Sequence, residues 1–128
     1  MAAVAVNNFR TVTHTVSTGA AEEIYTAPTG YTSVFLLIQV TNTDVTTKTL
    51  SLYHKRESTE TALVIDYPVA SKDSLSLLNG KLVLQTGDKI AINGSASGVL
   101  KLVASVRLNK NWIIQQFEIF IKSLLGNI

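Results

Sequence analysis

From Arg10 to Leu108 the chain switches between apolar and polar residues almost position by position, and this period of two constrains its fold more than any other feature. In an extended strand successive side chains point to opposite faces, so such a stretch can bury one face and expose the other. Arg10 to Ser17 sets Val12, His14 and Val16 against Thr11, Thr13 and Thr15. Glu22 to Ala27 predicts a short second strand, stopped by Ala27-Pro28-Thr29-Gly30, where Pro fixes φ and Gly permits the positive φ of a turn. Ser33 to Thr41 is apolar on both faces through Val34, Phe35, Leu36, Leu37 and Ile38, which predicts a central strand covered on both sides. Asn42-Thr43-Asp44 then reads as a turn.

Lys48 to Lys55 alternates again, with Leu50 and Leu52 against Thr49, Ser51 and Tyr53. Thr61 to Val69 places Leu63, Ile65, Tyr67 and Val69 on one face, and Pro68 marks it as an edge strand or a bulged one. Asn79-Gly80 stands between the apolar runs Leu75 to Leu78 and Lys81 to Leu84, a pattern that favours a type I′ hairpin. Thr86-Gly87-Asp88 turns the chain into Lys89 to Asn93. After the Gly94 to Gly98 loop, Val99 to Leu108 sets Leu100, Leu102, Ala104, Val106 and Leu108 against Lys101, Ser105 and Arg107, with Val103 the exception. The expected fold is mainly β, an antiparallel β-sandwich or jelly-roll-like domain of about eight strands over residues 10–108.

The two ends differ from this body. Residues 1–9 read as an extended arm carrying Val4, Val6 and Phe9, without the basic region that opens a secretion signal. Residues 109–128 change period: Ile113, Ile114, Phe117, Phe120, Ile121, Leu124 and Leu125 form one arc at about 100° per residue, with Gln115, Gln116, Glu118, Lys122 and Ser123 elsewhere. Asn109 or Asn111 can cap the start and Gly126 the end, so an amphipathic helix is expected, with a strand as the rival because Gln116 to Lys122 also alternates. Burying one large apolar side chain is worth roughly 1.5–3 kcal/mol, so these must be covered, by the domain itself or by a neighbouring subunit. Trp112, Ile113, Phe117, Phe120, Ile121, Leu124 and Leu125, with Val4, Val6 and Phe9, are therefore the candidate protein-interface residues.

Little here suggests chemistry. At 128 residues one domain is expected, and with no cysteine there is neither a disulfide framework nor a thiolate metal site. The only histidines are His14, expected on the inner face of a strand, and His54, expected at a strand end on the surface. Asp44 and Asp88 lie in turns, where short carboxylates accept backbone hydrogen bonds, and Glu22 and Glu23 read as solvated. Asp66, between Ile65 and Tyr67, is the acid that alternation explains least. Gly94 to Gly98 has no Lys-Ser or Lys-Thr behind it and fits no phosphate loop. The expectation is a non-enzymatic protein with no catalytic residues, metal or cofactor. Only 16% of residues are charged, against about 25% in ordinary soluble domains, and Thr and Ser cover much of the surface instead. The net charge of +2 comes from scattered Lys and Arg, so no nucleic acid is expected, and no apolar run is long enough for a membrane span.

The run Ile24-Tyr25-Thr26-Ala27-Pro28-Thr29-Gly30-Tyr31-Thr32, then Val40-Thr41-Asn42-Thr43, then Asn79-Gly80-Lys81-Leu82-Val83-Leu84-Gln85-Thr86-Gly87-Asp88-Lys89-Ile90, resembles the small β-sandwich virion proteins of tailed bacteriophages. In that group a Tyr-Thr-x-Pro entry, an x-x-Asn-Thr turn and a Gly-Lys-x-x-Leu-x-x-Gly-Asp hairpin recur in this order. The likeness spans about residues 20–108 and is carried by turn residues. It implies a structural role in many symmetric copies, made in the host cytoplasm and placed in the virion, as a capsid decoration or cement protein or in the tail or baseplate. The partners it implies are other virion proteins and copies of the chain itself, as a homo-oligomer or part of a symmetric assembly. The chain departs from the pattern by continuing for twenty residues after the last strand. The alternative from another class is a carbohydrate- or receptor-binding module of a phage fibre, which requires an exposed aromatic or acidic patch at one loop end.

Overall fold

The computed structural model describes residues 7–110, 121, 122, 124 and 125. Among them the alternating segments form nine strands: β1 (Asn7–Thr15), β2 (Glu22–Thr26), β3 (Tyr31–Asn42), β4 (Lys48–Arg56), β5 (Thr59–Val69), β6 (Ser74–Ser76), β7 (Leu82–Leu84), β8 (Lys89–Gly94) and β9 (Leu100–Lys110). One sheet runs β1-β9-β3-β6, with β7 also on β3, and the other runs β2-β8-β4-β5. Every pairing is antiparallel. The first strand pairs with the last and the second with the last but one, so the chain passes repeatedly between sheets in the interleaved order of a jelly roll.

The core lies between the sheets because each gives it one face. From β9 come Leu100, Leu102, Ala104, Val106 and Leu108, each at most 4% exposed, and from β3 come Phe35, Ile38 and Val40. The second sheet answers with Leu50, Leu52, Ile90 and Ile92, all fully buried or nearly so, in the same cluster. The turns follow from glycine. Tyr31 N–H donates to the Pro28 carbonyl with Gly30 at φ +84°, and Asp88 N–H donates to the Gln85 carbonyl with Gly87 at φ +87°.

Three expectations require correction. The apolar run of β3 is buried on both faces only over Ser33, Val34 and Phe35, and not along the rest of the strand. Its register against β9 shifts between Phe35 and Leu37, a bulge that reverses the alternation: Ser33 and Phe35 face inward before it, and Ile38, Val40 and Asn42 after it. Leu36 is left 38% exposed on the outer side. Asn79-Gly80 does not close a hairpin, because β6 and β7 pair with β3 rather than with each other, one against Gln39 to Thr41 and the other against Ser33 to Phe35. They are two pieces of one edge, joined by a loop in which neither Asn79 nor Gly80 takes the positive φ of a type I′ turn.

In β5, Ile65 and Tyr67 are exposed while Leu63 and Val64 pack on the core. Two register shifts against β4 break the expected alternation, and β5 is the edge strand that Pro68 indicated. The bulge also accounts for Asp66, which sits at φ +46° with its N–H donated to Ser51 Oγ at 2.9 Å. A short polar side chain tolerates that left-handed backbone better than an apolar one would.

At the two ends, β1 begins at Asn7, within the stretch expected to be arm, and β9 continues to Lys110. The expected C-terminal helix falls outside the described residues apart from 121, 122, 124 and 125.

Candidate interaction surface

The outer face of the first sheet is where the structure places exposed apolar side chains side by side. Register alone sets the rows. Phe9 on β1 stands opposite Arg107 on β9, Arg107 opposite Val34 on β3, and Val34 opposite Val83 on β7. The next rows inward are Thr11 and Ser105 beside the β3 bulge, then Thr13, Val103, Gln39 and Ser76, then Thr15, Lys101, Thr41 and Ser74. The face is thus apolar at the end where β9 leaves the sheet and hydroxyl-rich at the other. Phe9 is 68% exposed, Val83 55%, Val103 44% and Leu36 38%. Apolar groups clustered in this way on one face mark a contact surface more strongly than the same groups scattered.

Arg107 lies in the middle of the apolar row, and its Nε is buried without a hydrogen-bond partner. A buried donor left unpaired costs about 1–3 kcal/mol.

The edges of the sheets are not equivalent. β5 carries Pro68 and two register shifts, β2 has a shift between Glu23 and Tyr25, and β6 and β7 span three residues each. Bulges, proline and short length all discourage pairing with another chain. β1 has none of these: nine consecutive residues pair with β9 without a shift, and among the described residues nothing pairs with its other edge.

Of the residues singled out from sequence, Phe9 is on this outer face, Leu124 and Leu125 are 56% and 59% exposed, and Ile121 is half-buried. Trp112, Ile113, Phe117, Phe120, Val4 and Val6 lie outside the described residues. Sequence reasoning missed Val83, concealed by the assumed hairpin, and Leu36, concealed by the bulge. Val103 was visible as the one residue of β9 that broke the alternation.

The titratable groups form ties between strands. Asp88 is 2% exposed and accepts from Arg56 Nε at 2.8 Å, an Arg56 terminal nitrogen at 2.7 Å, the Gln85 N–H at 2.9 Å and His54 Nε2 at 3.1 Å. The Arg56 guanidinium foremost, with the Gln85 amide and His54, holds the Asp88 carboxyl well below the usual carboxylate range against the opposing effect of burial. His54 is therefore part of a buried network rather than the surface residue expected, and Asp88 does more than shape a turn. It fastens the β7–β8 turn to the end of β4. Glu23 is not simply solvated either: it bonds Lys55 at 3.0 Å and Lys89 at 3.2 Å, and these two, Lys55 first, lower its carboxyl. Asn42 does form the expected turn, its Oδ1 accepting the Asp44 N–H at 2.9 Å. His14 is on the inner face as expected, with Nε2 3.8 Å from Glu22.

Among the described residues no group of three or more His, Cys, Asp or Glu is placed to hold a metal ion, and no helix is long and apolar enough to cross a membrane. The charged groups around Asp88 and Glu23 are bonded to one another, whereas His14 Nε2 is buried without a hydrogen-bond partner.

No protein-family model matches the sequence, and no curated protein matches it significantly. Solved structures do match in fold. A chain of the T13 viral particle of IBDV aligns over 84% of this chain at 13% identity with a TM-score of 0.52, and this chain spans only 32% of that one. A chain of the Bacillus endospore appendages, a family of disulfide-linked pili, aligns over 87% of this chain and 98% of its own length at 18% identity with a TM-score of 0.51. At such identities the likeness is one of fold: the two-sheet β architecture occurs in a viral particle chain and in an appendage chain.

Proposed function

We propose that this chain is a non-enzymatic structural protein that works in many copies, joining neighbouring subunits through the outer face of its first sheet and its C-terminal residues. The observation that carries this reading is the row Phe9, Arg107, Val34 and Val83 with Leu36 and Val103 beside it, an apolar face with a buried unpaired donor at its centre. Phe9 and Val83 stand more than half exposed there, while Val34 between them is 8% exposed. Repeated contacts of this kind need not be strong individually, because linked copies gain avidity. The likeness in fold to chains of a viral particle and of pili supports assembly, and the turn residues shared with tailed-phage proteins support a virion component, either a capsid decoration or cement protein or a tail or baseplate protein. Trp112, Ile113, Phe117, Phe120, Ile121, Leu124 and Leu125 are assigned to the same contacts.

Electron microscopy of the full chain across concentrations tests this reading. Regular rings, filaments or sheets are expected. A protein that stays a single copy, alone and with candidate virion shells or tails, would contradict it.

One observation favours a second reading, the binding of a carbohydrate or other receptor. A cavity of ≈ 330 Å³ is lined by Asn8, Arg10, Tyr25, Pro28 and Tyr31 among others, a mixture of aromatic faces and polar groups suited to a sugar. Titration with a panel of saccharides, followed through the amide resonances of Tyr25 and Tyr31, separates this reading from the first.

A further inference from the structure

The dipeptide Asn-Gly occurs twice in the chain, at Asn79-Gly80 and at Asn93-Gly94, and the fold treats the two occurrences differently. In such a pair the glycine nitrogen can attack the side-chain carbonyl carbon of the asparagine before it, because glycine has no Cβ to obstruct the approach and its backbone is permissive. The attack requires a glycine N–H that is not held in a hydrogen bond and a backbone free to fold back on the side chain.

Asn93-Gly94 meets neither requirement. Gly94 ends β8 opposite Leu50, and its N–H donates to the Ser17 carbonyl at 3.1 Å. Asn93 Nδ2 donates to the Gly19 carbonyl at 2.9 Å, which ties the side chain to the loop after β1. Val16, Leu100 and the Thr49 carbonyl crowd the Gly94 Cα. Attack here would first require the end of β8 to leave its sheet.

Asn79-Gly80 meets both. The two residues are exposed and lie in no strand, and among the described residues neither makes a hydrogen bond. A Cβ placed on Gly80 would find no atom within 4 Å. The chain is fastened only to either side: Leu77 is buried and donates its N–H to the Ile38 carbonyl at 2.8 Å, and Leu82 pairs with Phe35. Because β6 and β7 pair with separate stretches of β3, no tight turn holds the Gly80 nitrogen away from Asn79.

We propose that Asn79 is a site of spontaneous deamidation in the folded protein and that the fold protects Asn93 from the same reaction. The Gly80 nitrogen bonds to Asn79 Cγ, the Cγ–Nδ2 bond breaks, and Nδ2 leaves as ammonia with the proton that Gly80 gives up, closing a succinimide ring. Water then opens the ring at the side-chain carbonyl to give aspartate, or at the main-chain carbonyl to give isoaspartate. One water enters and one ammonia leaves, with no oxidation or reduction. Each event places a negative charge next to Lys81 and lowers the net charge of a copy from +2 to +1. Deamidation needs no partner, so it holds whether or not copies assemble; in an assembly it would make the β6–β7 edge differ from copy to copy with age.

The test incubates the full-length protein in mildly alkaline buffer, folded and in guanidinium chloride, and follows both sites by peptide mass spectrometry with enzymatic detection of isoaspartate. In the folded protein, Asn79 should react at least about tenfold faster than Asn93, whose attack needs local opening of the sheet, and in denaturant the two rates should converge. Gly80→Ala puts a Cβ into open space at a position without positive φ, so it should leave thermal unfolding unchanged while slowing the reaction at Asn79 several-fold. Equal rates at the two sites in the folded protein, or an Asn79 that stays intact there while the denatured chain reacts, would overturn the proposal. An unslowed Gly80→Ala variant with the parent's stability would overturn the assignment of the Gly80 nitrogen as the attacking group.

Discussion

Replacing Asp88 by Asn tests how the sandwich holds its β7–β8 turn, because the two side chains have nearly the same shape and differ in charge and in one acceptor. The carboxylate accepts four hydrogen bonds, two from Arg56, one from His54 and one from the Gln85 amide. An amide at this position would turn an NH₂ group toward one of these donors and leave a donor facing a donor at a site only 2% exposed. Charge-assisted hydrogen bonds are worth about 1.5–3 kcal/mol each and an unmatched buried group costs about 1–3 kcal/mol. Arg56 is half exposed and can turn to water, which reduces the loss, so the net cost is about 2–4 kcal/mol near pH 7. For a domain of this size that corresponds to a fall of about 6–16 °C in midpoint temperature.

The pH dependence has a definite sign. The folded carboxyl is held below its unfolded value, so its contribution is complete above the unfolded value near 4 and is lost as pH falls through the lower, folded one. Thermal unfolding of parent and variant between pH 7 and pH 2 should therefore show a constant gap down to about pH 4.5 that then narrows. A gap below about 0.5 kcal/mol at pH 7, or one of the same size at every pH, would refute this account of Asp88.

Three further perturbations follow from the same geometry. A Cβ on Gly94 would come within 2.9 Å of Val16 Cγ1, 3.0 Å of Leu100 Cδ1 and 3.3 Å of the Thr49 carbonyl, so Gly94→Ala should cost about 1–3 kcal/mol in urea unfolding, and a variant as stable as the parent would contradict this packing. Asn42 is fully buried, donates to the Thr46 and Val69 carbonyls at 2.9 Å each and accepts the Asp44 N–H, so Asn42→Ala should cost about 2–4 kcal/mol, and Asn42→Asp should be no better because its carboxylate faces two carbonyl oxygens. Phe9→Ser removes a side chain that is 68% exposed, so thermal stability should move by less than about 0.5 kcal/mol while self-association weakens, and the opposite pattern would show Phe9 to be a core residue.

The strands could be read from the sequence because a period of two is a direct consequence of strand geometry, and β9 buries every residue that the alternation selects, while in β1 Val12 and His14 are half-buried. Reasoning from sequence failed where the chain breaks that period. The β3 bulge puts two apolar residues in succession, which has the same appearance as a strand buried on both sides. Asn79-Gly80 has the composition of a tight hairpin, but β3 offers both flanking segments a longer partner, and tertiary pairing prevails over local turn preference. The Asp88 network was out of reach because its members are separated by thirty-two to thirty-four positions and meet only through the pairing of β4 with β8. The outer face was partly visible in Val103, whereas Val83 and Leu36 emerged only once register was known.

The central claim is that copies of this chain join one another, and the most direct test is the mass of the full-length protein in solution by light scattering over a range of concentrations. The account predicts a mass that rises above the 13.8 kDa of one chain and falls back toward it in Val83→Asp. A mass of one chain at every concentration, unchanged by that substitution, would contradict it.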